Sequence, residues 1–461
     1  MTKIVCTIGP ASESAESLKK LIKAGMNVAR LNFSHGTHSE HKRVISRIRA
    51  ISKELGAPIS ILQDLTGPKI RIGEIEKGSI NLESGNEFVL TSRKVTGSEN
   101  EVSINYRDLP NQVETGDTIL LSDGSIELIV KRVLESDIRT KVLIGGELTS
   151  KKGLNIPARS LDISTFTTKD KKDLDFGIKN GIDIIALSFV KNVEDILKVR
   201  RFIKKRKSDI PIIAKIETHE ALEDIDGIME AVDGIMVARG DLGVEIPLEE
   251  VPIVQKELIN KANYSGKTVI TATQMLKSMV ENARPTRAEA ADITNAILDG
   301  TDAVMLSEES AVGKYPSRSV EVMSNISRKT IDSDLFDELI WSLRDSLPNN
   351  DSESLCLAAC NFADNVGATA IVAYTESGST AKQISKHRPR QKIIALSPIL
   401  NTYRYLTLVW GVIPFLIGRE EFNQRNLEQL IKNKIKLGLL KKSDKFIIVD
   451  ETSMKLHEAK I

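Results

Sequence analysis

The sequence has few of the features that mark a disulfide-linked, membrane-spanning or nucleic-acid-binding protein. Its three cysteines, Cys6, Cys356 and Cys360, are too few for a disulfide framework and lack the paired spacing of a zinc ribbon. Lysine plus arginine (64) nearly equals aspartate plus glutamate (63), so no strong field would attract nucleic acid. No apolar run reaches the ~18 residues of a membrane span, and the start MTKIVCTIGP has no secretory pattern. We therefore expect a cytoplasmic protein with no membrane or nucleic-acid partner, in which Cys356 and Cys360 are small core residues.

The length and the apolar pattern indicate two or three domains, one of them a barrel. A chain of 461 residues is too long for one ordinary core. Eight short apolar segments alternate with helical patterns, as in βα units around a parallel sheet. The segments begin at Lys3, Asn27, Pro58, Asp183, Pro211, Gly234, Thr268 and Ala303. Eight such units predict a closed (β/α)8 barrel of the α/β class.

Polar residues follow these segments at the strand ends where such a barrel carries its working site. They are Arg30, Asn32, Ser34, Asp64, Ser188, Lys215, Glu217, Asp241, Thr273, Ser307 and Glu309. A random scatter would not place polar side chains at the ends of so many strands. We interpret them as an active site.

One domain interrupts the predicted barrel and another follows it. More than a hundred residues separate Leu65 from Asp183, and they contain the strand-like pieces EFVLTS, DTILLSD and IELIVKRV between turns. After the eighth strand, a second α/β alternation runs through IVAYTESGSTAKQ and IIALSP. We predict a catalytic barrel at 1–66 and 154–330, an inserted β lid at 67–153 over the barrel mouth, and an α/β domain at 331–461.

Charged residues at the end of the fifth strand suggest phosphoryl chemistry. Lys215 and Glu217 are two residues apart on a strand, so their side chains project to the same side. Asp241 follows the next strand, and two carboxylates from different strands are a typical way to hold Mg²⁺ or Mn²⁺. Arg30 offers a planar fork for phosphate, and Lys215 offers a point charge for a moving phosphoryl group.

Lys215 has two other interpretations. A simple buried ion pair with Glu217 is the structural alternative, although such pairs are expensive to desolvate. A Schiff-base lysine would indicate an aldolase, but that chemistry needs a lowered amine pKa, and neighbouring carboxylates favour the ammonium. Phosphoryl transfer fits the residues better.

Long motifs spread along the chain carry a family resemblance. They are TIGPAS (7–12), ARLNFSHGTH (29–38), GPKIRIG, KKGLNIP, AKIET, MVARGDLGVEIP, TATQMLKSM, RPTRAEAADI and VMLSEESAVGKYP. Over essentially its whole length the chain resembles pyruvate kinases. The resemblance implies a TIM barrel with an inserted β-barrel lid and a C-terminal α/β regulatory domain. It also implies phosphoryl transfer from phosphoenolpyruvate to ADP, giving ATP and pyruvate in the last step of glycolysis.

The same resemblance implies a role for each site residue. Lys215 stabilises the phosphoryl group in flight, Glu217 and Asp241 bind Mg²⁺ or Mn²⁺, and Arg30 holds the phosphate. The substrate also meets Ser188, Gly240, Asp241 and Thr273; the nucleotide meets His35, Arg71 and Lys152; and the proton route includes Thr273, Ser307 and Glu309. By contrast, Thr286 and Glu289 in PTRAEA are interpreted as a helix capping box without a catalytic role.

Two positions depart from the family pattern. Many members need K⁺; the corresponding region here comprises Asn32, Ser34, Asp64, Leu65 and Lys69. The Lys69 ammonium can supply the positive charge of the monovalent cation, so we expect activity that does not require K⁺; the alternative is a solvated lid lysine. Glu308 stands where the family usually has glycine, which leaves the proton donor to the enolate open.

The last domain contains a candidate effector site. The segment TESGSTA resembles the family's phosphate loop, with Thr375, Ser377, Gly378, Ser379 and Thr380 as its candidate ligands. The tail lacks the glycine-rich end of a fructose-1,6-bisphosphate loop, so a sugar monophosphate or AMP is the expected effector. The alternatives are no regulation and a plain helix cap.

Two other functions stay open at this point. One is a catalytically silent metabolite-binding regulator, and the other is a Mg²⁺-dependent barrel lyase that cleaves carbon–carbon bonds of 2-oxo acids. The retained charged set disfavours the first, because charged groups are costly to bury. The lyase function does not explain the lid or the third domain. The resemblance also implies a homotetramer.

Overall fold

The computed structural model describes residues 1–157, 159–345, 350–424, 440–441, 443–450 and 452–458. Eight parallel strands close a barrel in which each strand pairs with its neighbours along the chain, and the last strand pairs with the first. Numbered along the chain, they are β1 (Lys3–Thr7), β2 (Val28–Asn32), β3 (Ser60–Asp64), β12 (Ile184–Leu187), β13 (Ile212–Ile216), β14 (Gly234–Ala238), β15 (Thr268–Ala272) and β16 (Ala303–Leu306). The eight predicted strands and the barrel class are therefore confirmed.

Helices surround the barrel, and several begin at side-chain caps that the sequence encodes. Thr37, Thr167 and Thr286 each form a capping box with the acidic residue three positions later, which confirms the predicted box of Thr286 and Glu289. The helices are α1 (Ala15–Ala24), α2 (His38–Leu55), α3 (Thr168–Lys179), α4 (Val193–Lys204), α5 (His219–Glu223), α6 (Ile225–Ala231), α7 (Arg239–Glu245), α8 (Val251–Tyr264), α9 (Arg287–Leu298), α10 (Glu308–Ala311) and α11 (Pro316–Ile331). A 3₁₀ turn spans Lys277–Val280.

The barrel strands are buried on both faces, which explains their nearly continuous apolar sequences. Every residue of β1, β13, β14 and β15 is buried. Cys6 is packed within β1, while Cys356 and Cys360 are buried in the C-terminal domain, and all three are free thiols. The prediction that Cys356 and Cys360 are core residues is confirmed.

Within the segment between β3 and β12, residues 70–156 share a separate hydrophobic core, and this β domain is the one predicted to be a lid. A six-stranded sheet and a two-stranded sheet contain the strands β4 (Ser79–Leu82), β5 (Glu87–Thr91), β6 (Glu101–Ser103), β7 (Thr118–Leu121), β8 (Ile126–Val133), β9 (Asp137–Ile144), β10 (Gly146–Thr149) and β11 (Leu154–Asn155). A 3₁₀ turn spans Leu109–Asn111. β11 pairs with β7, so the lid sheet continues through residues 154–155.

The C-terminal domain is a five-stranded sheet with helices. Its strand order is β19–β18–β17–β20–β21, and only the last pairing is antiparallel. The strands are β17 (Ala370–Tyr374), β18 (Lys392–Ser397), β19 (Val412–Leu416), β20 (Lys445–Val449) and β21 (Met454–Glu458). The helices are α12 (Leu335–Arg344), α13 (Asp351–Asn365), α14 (Ser379–Lys386), α15 (Leu400–Tyr405) and α16 (Arg419–Gln424). Over the described ranges, no helix has the length and apolar character needed to cross a membrane.

This domain contacts the barrel where the strands begin. The buried Arg388 guanidinium pairs with Asp302 at 2.9 Å and donates to the Gly300 carbonyl at 2.6 Å, just before β16. The Tyr405 hydroxyl lies 3.1 Å from the Thr268 hydroxyl at the start of β15. The lid and the candidate site lie at the opposite end of the barrel, where the strands end.

Candidate active site

Lys215 lies at the centre of a group of buried polar side chains at the carboxyl ends of the strands. Its Nζ is 2.8 Å from Glu217 Oε1 and 3.4 Å from Asp64 Oδ1, and it donates to Ser188 Oγ at 2.8 Å. On the other side of Asp64, Arg30 Nε donates to Oδ2 at 2.7 Å. These residues meet because β2, β3, β12 and β13 are neighbours in the barrel. The structure therefore brings together five of the predicted residues.

The charges of this group support one another. Burial alone would lower the pKa of Lys215, but Asp64 and Glu217 raise it above its ordinary value. Burial would raise the pKa of Asp64, whereas Lys215 and Arg30 hold it below the usual range. Lys215 is therefore an ammonium at neutral pH, as phosphoryl transfer needs and as a Schiff-base amine does not.

Glu217 and Asp241 form the candidate site for a divalent metal. Glu217 Oε2 accepts a hydrogen bond from the Phe189 amide at 2.7 Å. Its buried Oε1 is near Lys215 but has no partner with hydrogen-bond geometry among the described residues. Burial raises the pKa of Glu217, Lys215 opposes that rise, and the nearby negative charge of Asp241 adds to it. A bound cation would relieve that repulsion, so these two carboxylates fit a metal.

The protein supplies only part of a metal's coordination at this site. Within the part of the chain that the structure describes, no three His, Cys, Asp or Glu residues form a metal-binding group. Mg²⁺ commonly binds one or two carboxylates and takes its other ligands from substrate phosphates and water. The pair of Glu217 and Asp241 fits that pattern.

The loop after β15 has a strained backbone beside the short helix α7. Thr273 and Gln274 have positive φ angles of 69° and 56°. The Gly240 amide donates to Thr273 Oγ1 at 2.9 Å, and that hydroxyl donates to the Ala272 carbonyl at 2.6 Å. Thr273 and Gly240, both predicted to meet the substrate, are thus in direct contact.

Arg239 holds this loop in place, and the sequence analysis did not identify it as a site residue. Its Nη2 donates to the Thr273 carbonyl at 2.6 Å, and its Nη1 pairs with Asp292 at 2.6 Å. A charged residue directly after β14, next to Gly240 and Asp241, was the available signal. The distant partner Asp292 on α9 gave none.

Glu309 braces two backbone segments. Its Oε1 accepts from the Leu276 amide at 3.0 Å and its Oε2 from the Ser307 amide at 2.7 Å. The neighbouring Glu308, which departs from the family pattern, is exposed and pairs with Lys277. Glu308 therefore points away from the buried position of Glu309.

The predicted nucleotide residues lie on two segments. The His35 amide donates to the Asn32 carbonyl at 3.3 Å, just after β2. Arg71 Nη1 donates to the Lys151 carbonyl at 3.0 Å, which joins the two chain segments that enter and leave the lid. The Lys152 side chain is exposed next to that contact.

The region predicted for a monovalent cation divides into two parts. Asn32 Oδ1 accepts from the Ser34 amide at 3.0 Å, and Leu65 is buried. Lys69 Nζ instead donates to Asp241 Oδ1 at 3.1 Å and lies 4.0 Å from Asp123 Oδ1. Its ammonium is therefore directed at the candidate metal site.

Lys169 is a second contact that the sequence did not reveal. Its Nζ donates to the Phe33 carbonyl at 2.6 Å and to Thr66 Oγ1 at 3.1 Å, and it pairs with Asp173 at 2.6 Å. The loops after β2 and β3 are thereby held together from α3. A lysine in the first turn of a surface helix carries no sequence signal for this role.

The candidate effector segment forms the start of α14. The Gly378 amide donates to Thr375 Oγ1 at 2.8 Å, and the Ser379 amide donates to Ser377 Oγ at 3.2 Å. Gly378 has a φ of 87°, which suits glycine. Thr380 is buried in the first turn. The turn's own hydroxyls therefore bond to its amides.

Comparison with known proteins agrees with this geometry. Residues 1–320 match the model of the pyruvate kinase barrel domain, and residues 353–459 match that of the pyruvate kinase alpha/beta domain. Pyruvate kinase 2 of Synechocystis sp. is 48% identical over 420 residues, covering 90% of this chain and 70% of that protein. A pyruvate kinase of Staphylococcus aureus is 45% identical over 449 residues, covering 97% of this chain and 77% of that protein.

A solved structure gives the same result. The crystal structure of a pyruvate kinase from Cryptosporidium parvum superposes with a TM-score of 0.93 at 37% identity, covering 99% of this chain and 96% of that one. The barrel-domain match spans the segment that contains Lys215, Glu217 and Asp241. The chain therefore belongs to the pyruvate kinase family of phosphotransferases.

Proposed function

We propose that this enzyme transfers the phosphoryl group of phosphoenolpyruvate to ADP, giving ATP and pyruvate. The observation that carries the proposal is the buried contact of Lys215 with Glu217 and Asp64 at the barrel mouth. A buried ammonium held by two carboxylates, with Arg30 alongside, gives fixed positive charge for a phosphoryl group.

Each of these residues has a distinct task in the proposed reaction. Arg30, oriented by Asp64, holds the substrate phosphate, and Lys215 stabilises the charge that shifts as the phosphoryl group moves. Ser188 fixes the Lys215 ammonium through its hydroxyl. Glu217 and Asp241 would hold Mg²⁺ or Mn²⁺. When bound, the metal would neutralise part of the negative charge on the phosphate and the enolate.

The remaining predicted residues keep proposed roles at the edge of the site. Gly240 and Thr273 would receive the substrate carboxylate, for which their mutual hydrogen bond must give way. Thr273 would also lie on the proton route, with Ser307 and Glu309 acting through the loop that they brace. His35, Arg71 and Lys152 would contact the nucleotide when the lid closes.

We propose that catalysis does not require K⁺. The support is the contact of Lys69 Nζ with Asp241 Oδ1 at 3.1 Å, which brings a fixed positive charge to the candidate metal site. Turnover with Mg²⁺ in tetramethylammonium buffer should match turnover in K⁺ buffer. Near-zero turnover that K⁺ restores would refute this proposal.

Regulation, assembly and location are proposals of the same kind. A sugar monophosphate or AMP would bind at Thr375–Thr380, although two hydroxyls there already accept hydrogen bonds from the Gly378 and Ser379 amides. Flat kinetics with both effectors would leave the segment as a helix cap.

The homotetramer is proposed from the family resemblance, and sedimentation would test it. A cytoplasmic location is consistent with three free, buried thiols.

A coupled assay separates the proposed function from its alternatives. Lactate dehydrogenase reports pyruvate formed from phosphoenolpyruvate and ADP, with and without EDTA. We expect turnover that EDTA abolishes and Mg²⁺ restores. A silent regulator would bind phosphoenolpyruvate without turnover, and a lyase would form pyruvate from a longer 2-oxo acid without consuming ADP.

A further inference from the structure

The short helix α7 is contacted at both ends by the two chain segments that connect the lid to the barrel. Asp241, in its first turn, accepts from Lys69 Nζ at 3.1 Å, and Lys69 lies on the segment that enters the lid. Glu245, its last residue, accepts through Oε1 from Asn155 Nδ2 at 3.2 Å. Asn155 lies on β11, in the segment through which the chain leaves the lid (the exit segment, residues 151–157). The helix that carries a candidate metal ligand is thus also where both segments meet the barrel.

The barrel holds α7 in place without the lid. The helix packs against β14 and α8, and Leu242 and Val244 are buried. At its start, Arg239 Nη1 pairs with Asp292 on α9 at 2.6 Å. Glu245 is therefore an acceptor in a fixed position, to which the exit segment is attached.

The Glu245 carboxylate is also held by neighbours on the barrel side. Its side chain is 11% exposed, and Oε2 lies 3.5 Å from His219 Nδ1. His219 Nδ1 lies 3.4 Å from Glu220 Oε2, and Lys191 Nζ lies 3.5 Å from Glu220 Oε1. These neighbours follow β12 and β13, two strands that contribute to the candidate active site. One oxygen of Glu245 thus faces the barrel, while the other faces the lid.

Asn155 favours the charged form of this carboxylate. Burial raises the pKa of Glu245 and the Glu220 carboxylate adds to the rise, whereas the hydrogen bond from Asn155 and the proximity of His219 oppose it. A hydrogen bond to an ionised acceptor is stronger than one between neutral groups. The contact is therefore strongest when Glu245 is ionised.

A cleft beside this contact shows that packing between the two sides is incomplete. It has a volume of about 80 Å³ and lies between Leu154 and Ile156 of the exit segment and Phe189 of the barrel. Asn155 and Glu245 line it as well. Because apolar side chains do not fill this space, the hydrogen bond carries a larger share of the attachment.

The exit segment also determines the position of the candidate nucleotide residues. Lys152 lies just before β11, and its carbonyl accepts from the Ile72 amide at 3.0 Å. Arg71 Nη1 donates to the Lys151 carbonyl at 3.0 Å. The places of Arg71 and Lys152 therefore depend on where the exit segment is attached.

We infer that Glu245 is a positioning residue for the nucleotide: by accepting from Asn155, it holds the exit segment so that Arg71 and Lys152 can meet ADP. Glu245 acts through Asn155 and does not itself contact the nucleotide. The inference rests on the proposed function, because that function assigns Arg71 and Lys152 to ADP.

Steady-state kinetics separate the two substrates. The coupled assay varies ADP at saturating phosphoenolpyruvate, and then phosphoenolpyruvate at saturating ADP. In Asn155→Asp a second carboxylate faces Glu245, so KM for ADP should rise about tenfold. KM for phosphoenolpyruvate should stay within about twofold of wild type, because Arg30 and Lys215 lie on barrel strands. Asn155→Ala removes the donor without adding charge and should raise KM for ADP by a smaller factor.

A reciprocal exchange tests whether the two residues act through each other. Glu245→Gln retains an acceptor oxygen for Asn155, so KM for ADP should rise by about threefold at most. In the double variant Asn155→Asp/Glu245→Gln, the glutamine NH₂ group can donate to the new carboxylate, and KM for ADP should return to within about threefold of wild type. The control is Glu223→Gln, which alters an exposed carboxylate on α5 and should change neither KM. Tm from differential scanning fluorimetry separates these effects from a general loss of folding.

The inference is supported if Asn155→Asp raises KM for ADP selectively and the added Glu245→Gln change restores it. It is overturned if KM for ADP is unchanged in Asn155→Asp and in Asn155→Ala, if both KM values rise together, or if the double variant is as impaired as Asn155→Asp. Those failures leave the proposed function intact, because wild type still turns over. Absence of turnover by wild type would overturn the proposed function itself, and the inference with it.

Discussion

Replacing Lys69 should make this enzyme depend on a monovalent cation. The Lys69 side chain is only 22% exposed, and its Nζ lies 3.1 Å from Asp241 Oδ1. In Lys69→Gln, the candidate metal site loses one positive charge while its carboxylates remain. A K⁺ ion from solution can supply the same charge, but only when it is present.

The geometry sets the size of the effect. At an effective dielectric constant of about 20, two unit charges about 3 Å apart attract by about 5 kcal/mol. Partial exposure and desolvation reduce this, and hydrogen bonds between charged groups typically contribute about 1.5–3 kcal/mol. That range corresponds to a loss of about 10- to 150-fold in kcat/KM without K⁺. Lys69→Glu should lose more, because it adds a negative charge beside Asp241.

The assay compares both variants with wild type in tetramethylammonium and K⁺ buffers at constant ionic strength. We expect K⁺ to restore much of the lost kcat/KM in both variants and to leave wild type unchanged. Lys77→Gln is the matched control, since Lys77 is a lid lysine whose side chain is 79% exposed. If Lys69→Gln has wild-type kcat/KM in K⁺-free buffer, the proposed role of the ammonium is wrong.

Three further predictions concern buried groups. Arg388→Met should lower the free energy of unfolding by about 3–5 kcal/mol in urea titrations, because it strands Asp302 as an unpaired charge. His387 is 1% exposed, and burial lowers its pKa in the folded protein to about 4 from the ordinary value of 6.5. Between these two pH values the unfolded chain therefore binds more protons than the folded protein. Stability should therefore fall by up to about 3 kcal/mol as pH drops through this window, and His387→Phe should flatten the dependence. In Glu309→Gln, the side-chain NH₂ group would face one of the two backbone N–H groups from which Glu309 now accepts. The substitution should therefore lower the free energy of unfolding by about 1–3 kcal/mol, while the shape of the pH–rate profile should not change.

Each of these has a clear contrary result. An unfolding midpoint for Arg388→Met within error of wild type would mean that the contact between the domains adds nothing to stability. Equal pH slopes for wild type and His387→Phe would show that another group titrates in that window. A lost limb in the pH–rate profile of Glu309→Gln would make Glu309 a proton carrier and not a positioning residue.

The local pattern of the sequence predicted the barrel and the centre of the site. Burial on both faces gives each strand an unbroken apolar sequence, and eight such segments were countable. Alternation along β13 put Lys215 and Glu217 on one side, and the structure places Nζ and Oε1 2.8 Å apart. The capping box at Thr286 followed from spacing alone.

Contacts between distant segments were not predictable in the same way. The partners Lys69 and Asp241 are 172 positions apart, and Arg239 reaches Asp292 across 53 positions. Such pairings depend on how the lid and the helices pack, which no local period encodes. The positive φ of Thr273 gave no signal either, because a threonine is not expected in that region.

Glu217 and Asp241 are proposed to hold the divalent metal beside the Lys215 ammonium. The most direct test is a crystal grown with Mn²⁺ and oxalate, with data collected at the manganese absorption edge. We expect an anomalous peak within coordination distance of both carboxylates, with oxalate completing the shell next to Lys215. A peak elsewhere, or one that touches neither carboxylate, would contradict it.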